Sequence, residues 1–197
     1  MQPPRLAPEG DYDGETISGD LGGALAANAR FLECTFRDCD LTGLAAPRAR
    51  FADTSLYAVQ GAGVDLAESE WWDCVVTGAR LGAVQLFGAE LRRVRFEGCK
   101  IEFLNLRGAS LREVAFTGCQ LVEPDFSEAS LEDVGFDGCR LTAPDFSRAR
   151  LVRTDLTGAE VAAPKGVRSL AGATVSRLQL IDLAPALAAD LGITVVD

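Results

Sequence analysis

The chain has 197 residues, 48% of them hydrophobic, enough for one well-buried domain, and it carries a formal net charge of −10 with a pI near 4.6. It has no histidine, which excludes an imidazole base, an imidazole metal ligand and any Ser-His or Cys-His nucleophile pair. The charge argues against direct binding to nucleic acid or to an anionic membrane.

Residues 1–28 are rich in Gly and Pro and acidic at Glu9, Asp11, Asp13, Glu15 and Asp20. They read as a loose lead-in with degenerate units centred on Leu21 and Ala26. The opening Met1-Gln2-Pro3-Pro4-Arg5 lacks the apolar core of a signal peptide. No apolar run is long enough to cross a bilayer. The expected location is cytoplasmic, where the six cysteines would be reduced thiols.

A five-residue register occupies residues 29–167. Every fifth position from Phe31 to Val161 is large and apolar except Ala46 and Gly61, and the phase does not slip. A second series, two residues before each centre, holds Ala, Cys, Val, Leu, Thr, Ser or Pro. Neither series contains a charge, although 24% of the chain is charged. Two of every five side chains therefore point inward and three outward. That period is neither 3.6 nor 2, so it fits neither an amphipathic helix nor a plain alternating strand. It fits a chain that bends at each unit around a narrow tube.

A longer period closes the tube. Ala89, Ala109, Ala129 and Ala149 fall in one column at a spacing of twenty, Phe96, Phe116 and Phe136 in another, and Cys99, Cys119 and Cys139 in a third. Gly78, Gly98, Gly118, Gly138 and Gly158 form a column suited to a corner with a permissive backbone. Like stacking on like every twenty residues means four units per coil. With coils about 4.8 Å apart, the centres from Phe31 to Val161 make a rod roughly 32 Å long.

Residues 168–197 change character. Ser176 with Gln179 predicts a helix start. Leu180, Ile181, Ala184, Leu187, Ala188 and Leu191 follow at helical spacing. Pro185 predicts a break into two short helices, Gly192 a stop, and Ile193-Thr194-Val195-Val196 a short strand. This apolar stripe fits a lid on the last coil, or a lid that also joins two copies through Leu180, Ile181, Leu187 and Leu191.

The small–polar–Leu/Phe–x–x unit, repeated in one phase, resembles the pentapeptide-repeat family over about two-thirds of the chain. The resemblance implies an all-β solenoid, a right-handed quadrilateral β-helix, closed by a short C-terminal helical cap. It also implies a non-catalytic protein-binding module with no cofactor. Gyrase-binding members of the family are thought to imitate duplex DNA with an acidic rod, giving quinolone tolerance, and to dimerise tail to tail. On that resemblance the expected partner is DNA gyrase or topoisomerase IV, and the alternative is a scaffold with an unknown protein partner. The Qnr-type members carry loops between coils; the unbroken phase here implies a loop-free member.

The chemical candidates are few. All six cysteines occupy the inward small-residue position with no CxxC spacing, as inert core residues would. Acid pairs such as Asp11/Asp13 and Glu132/Asp133 fall on outward positions with no concavity to shift a pKa. Trp71 is an inward centre, and Trp72 should face out. The most acidic face is expected to present Asp65, Glu68, Asp125, Glu128 and Asp145, opposed by Arg48, Arg107 and Arg148. These five acids are the candidate partner-binding residues.

Overall fold

The computed structural model describes residues 6–195. Its first two strands, β1 (Asp11–Asp13) and β2 (Thr16–Asp20), pair in parallel with β3 (Arg30–Leu32) and β4 (Thr35–Asp40). The same step continues along the chain, each strand pairing in parallel with the one a coil later. Eight coils result, stacked into a four-sided β-solenoid with a single helix at the C-terminal end.

Stacked columns build each side. On the first side Tyr12, Phe31, Phe51, Trp71, Leu91, Leu111, Leu131 and Leu151 lie in register. On the second, Ile17, Phe36, Leu56, Val76, Phe96, Phe116 and Phe136 do the same. The third carries Gly61, Leu81, Ile101, Leu121, Leu141 and Val161. The fourth is held by short pairings such as Val64–Val84–Leu104 and by single bridges. Inward rings stack near the coil spacing, with centroids 4.7 Å apart for Phe96–Phe116 and 5.0 Å for Phe116–Phe136. Each fully buried Leu or Phe contributes about 1.5–3 kcal/mol.

Inward polar groups are bonded to the wall. The Thr54 hydroxyl donates to the carbonyls of Phe31 and Ala52 at 3.1 and 2.9 Å. The Cys34 and Cys74 thiols donate to equivalent carbonyls. Inward Gly61 is forced: at φ 144° an added Cβ would lie 2.7 Å from the Thr42 nitrogen.

The corner residue two after most centres is left-handed, and glycine is not required there. Glu33, Asp53, Glu113, Asp133 and Arg153 all have φ between 49° and 56°. The glycine column therefore marks one corner of the tube, at Gly78, Gly98, Gly118 and Gly138, and Gly158 at its end leaves the left-handed region.

Both ends shorten the coil by one residue. Tyr12 pairs with Phe31 and Ile17 with Phe36, nineteen positions on. The register then shifts between Ser18 and Gly19, and Gly19, at φ 94°, pairs with Cys39. Leu21 and Ala26 are buried on the twenty-residue phase. At the other end Thr154 pairs with Ala173 and Asp155 with Thr174, again nineteen positions on, after a 3₁₀ turn at Val167–Leu170.

The predicted break at Pro185 does not occur. One helix, α1, runs from Arg177 to Asp190 with Pro185 inside it. Proline removes the helical bond to the Ile181 carbonyl, and both residues are exposed, on the solvent side of the helix where losing that bond costs least. The capping box is formed: Gln179 N–H donates to Ser176 Oγ at 3.2 Å and Ser176 N–H to Gln179 Oε1 at 2.7 Å. Gln179 Nε2 also donates to the Leu156 and Ala159 carbonyls at 2.5 and 2.6 Å, docking α1 on the last coil. The strand expected at 193–196 is absent over 193–195, and Val196 lies outside the described residues. Instead Gly192 turns at φ 72° and the Ile193 N–H donates back to the Ala188 carbonyl. That bond closes the helix end and leaves no free strand edge.

Candidate binding surfaces

The five acids singled out from the sequence lie on the fourth side and its following corner. Asp65, Asp125 and Asp145 turn inward on their own backbone. Their Oδ1 atoms accept from the N–H of Ala67, Ser127 and Ser147 at 3.0, 2.8 and 2.8 Å. Such Asx turns shape the corner as well as charge it. Glu68 pairs with Arg48 at 3.7 Å. Glu128 is held by Arg148 and by Arg107 at 2.8 Å, hydrogen bonds that keep its carboxyl below the usual range. Lys165 continues the Asp125–Asp145 column. The side thus sets four cations against five carboxylates, 4 − 5 = −1.

Ion pairs between coils recur elsewhere. Arg93 forks onto Asp73 at 2.6 and 2.6 Å, and Arg153 onto Asp133 at 2.5 and 2.6 Å. Arg112 meets Glu132 at 2.8 Å and Arg140 meets Glu160 at 2.9 Å. Each joins residues one coil apart, so the outward charges act as rungs between turns.

The three leucines and one isoleucine expected to join two copies all lie on α1 or its cap. Leu180, Ile181 and Leu191 are 52%, 63% and 59% exposed, and Leu187 is half-buried. Among the described residues of α1 only Leu183 is buried. A groove of about 380 Å³ between α1 and the last coil is lined by Val167, Leu170, Leu180, Leu187 and Leu191. Ile181 points elsewhere, as does Leu178, so the helix is apolar on more than one side.

The cysteines are free and buried. Burial pushes the Cys74 thiol up to about 11. Contact with Cys119, then burial, holds the Cys99 and Cys139 thiols above their ordinary range. Cys74, Cys99 and Cys139 are therefore protonated packing groups at neutral pH. Among the described residues no cluster of three His, Cys, Asp or Glu could hold a metal ion, and no helix is long and apolar enough to cross a membrane.

Five-residue rungs, four to a coil and in parallel register, define a repeat protein of the β-solenoid class. Residues 89–163 match the family model described as pentapeptide repeat region, and the same rung continues on both sides of that match. Residues 89–163 are thus a pentapeptide repeat region, and the rest of the solenoid resembles it. Similar solved structures include HetL, a pentapeptide repeat protein involved in heterocyst differentiation regulation from the cyanobacterium Nostoc sp. strain PCC 7120. It is 16% identical over 87% of this chain and 91% of that one, with a TM-score of 0.44. Full-length QnrB1, a plasmid-mediated fluoroquinolone resistance protein, is 14% identical over 90% and 99%, with a TM-score of 0.32. Rfr23 from the cyanobacterium Cyanothece 51142 is 13% identical over 68% and 90%, with a TM-score of 0.30. No curated protein matches the chain.

Proposed function

We propose that this protein is a non-catalytic protein-binding module of the cytoplasm that pairs with a second copy of itself through α1. The observation that carries the reading is the exposure of α1, a fourteen-residue helix with one buried side chain. Exposed Leu178, Leu180, Ile181 and Leu191 form the kind of apolar surface that marks an association site. A second copy suits it because a two-fold contact uses the same patch twice, and α1 carries only Arg177, Asp182 and Asp190 as charges. Six free, buried thiols support a reducing compartment. Light scattering tests the pairing. The wild type should run as a dimer at micromolar concentration and Leu180→Asp with Ile181→Asp as a folded monomer; a monomeric wild type sinks the reading.

A narrower form names a type II topoisomerase as partner, bound by imitation of duplex DNA and yielding tolerance to quinolone-type inhibitors. Its support is a rigid rod with a net charge of −10. Its weak point is the fourth side, where the arginines and Lys165 nearly cancel the acids. Gyrase supercoiling, with and without ciprofloxacin across a titration of the protein, separates this form from a scaffold with another partner. Neither inhibition nor protection would remove the topoisomerase.

A further inference from the structure

We infer that the first side of coils two to four is a docking groove for an extended peptide of a partner protein, one with a carboxylate two residues from an apolar side chain. The groove, of about 280 Å³, is lined by Arg30, Arg50, Leu32, Ala52, Glu70 and Trp72, over the backbone of Phe31 and Phe51. Leu32, Ala52 and Trp72 are in register on successive coils, so small Ala52 sits between two larger walls. Leu32 is 38% and Trp72 47% exposed. The walls are two coil spacings apart, about 9.6 Å, which leaves a notch for a single apolar side chain.

Arg30 and Arg50 stand beside that notch, two residues earlier on the same strands and on the same face. The spacing between the two stripes is about 6.6 Å, which is also the distance between same-face side chains of an extended peptide. The complementary guest is therefore Asp/Glu-x-apolar. The guanidinium groups are available to it. Arg30–Asp11 is 3.9 Å long, Arg50–Glu70 3.4 Å, and neighbouring Arg48–Glu68 3.7 Å, with the arginine side chains 56–63% exposed. Further along the same side Arg93–Asp73 is 2.6 Å and Arg112–Glu132 2.8 Å. Exposed pairs of the looser kind are worth about 0–1 kcal/mol, so an incoming carboxylate can displace them.

The floor is already ordered. Under the groove the Phe31 and Phe51 rings stack at 4.9 Å and Phe51 and Trp71 at 4.0 Å. The Trp71 indole N–H donates to Ser69 Oγ at 2.8 Å, and that hydroxyl donates to the Leu66 carbonyl at 2.6 Å. A rigid platform loses little freedom when a partner docks. The pattern is also local: the cation column ends at Arg50 and passes to Glu70 at coil four and Glu90 at coil five, while the apolar column passes to Arg92 at coil five and then Arg112. Repetition alone does not produce it. Trp and Arg could also hold a nucleotide, but Glu33, Asp53 and Asp73 edge the far side of the apolar column and would repel a phosphate chain.

The inference rests on the binding-module reading but not on self-association through α1. A phage-displayed library of random heptapeptides, selected against the full chain, tests it. Enrichment of Asp/Glu-x-apolar sequences is expected, with binding about tenfold or more weaker to Trp72→Ala and to Arg50→Glu. The Leu180→Asp, Ile181→Asp protein should retain these peptides, which separates the groove from the helix. Circular dichroism checks that the surface variants remain folded. Absence of that motif, equal binding by both groove variants, or tighter binding of a single-stranded oligothymidylate overturns the proposal.

Discussion

Coils two to seven and the two ends obey different rules, and the difference shows what enforces the period. In the interior each inward side chain has another inward side chain above and below, and each register is twenty residues. Phe116, for example, lies between Phe96 and Phe136. The first and last coils pair with another coil on one side only, and there the coil loses a residue. Stacking on both sides, more than any five-residue preference of the chain, keeps the phase.

The largest effect should come from the interior. Phe116→Asp buries an unpaired carboxylate in a ring stack and should cost about 4–5 kcal/mol or more, abolishing the cooperative melt. A stable Phe116→Asp protein would contradict the inward columns. Next, Leu183→Ala removes the one buried anchor of α1 and should cost about 2–4 kcal/mol, with loss of helical circular dichroism but retention of the strand signal. If the whole fold melts with the helix, the ends are not separable from the interior. Gly61→Ala drives a Cβ towards the Thr42 nitrogen and should lower stability by about 1–3 kcal/mol in urea titration.

A matched pair of insertions tests the comparison directly. One residue added between Ser18 and Gly19 restores a twenty-residue first coil and should change stability by less than about 1 kcal/mol. The same insertion after Arg112 throws every later inward residue out of phase and should prevent folding; equal tolerance at both places would erase the distinction. The smallest effect is that of pH. Hydrogen bonds from Arg148 and Arg107 to Glu128, from Arg93 to Asp73 and from Arg153 to Asp133 lower the folded-state pKa of these carboxylates. Their stabilisation is complete above the ordinary carboxylate range, about pH 4, and is lost as pH falls through the lowered values. Salt should shrink this slope, since all the pairs are exposed.

The interior was almost fully legible, because inward and outward residues separate cleanly at every fifth position. The slip at Gly19 was not, since a fixed stride counted back from Phe31 cannot register a missing residue. The capping box of Ser176 and Gln179 announced α1, yet Pro185 misled because propensity does not record that the lost bond faces water. The expected strand at Ile193 gave way to a helix end, because its N–H is spent on the Ala188 carbonyl. Among surface residues, Trp72 was visible as an outward aromatic. Its partners Leu32, Ala52, Arg30 and Arg50 emerge only when outward positions, too, are read down columns of twenty.

The parallel hydrogen bonds from coil to coil have a mechanical consequence. They run along the rod, so tension applied between its ends loads the terminal coil's bonds one after another, as in unzipping. Force applied across the rod loads whole ladders in shear. Pulled from its C-terminal end, the molecule should detach α1 first and then peel in steps of one coil, each releasing about 70 Å of extended chain. A rod of this build is weak when drawn lengthwise and strong when gripped from the side.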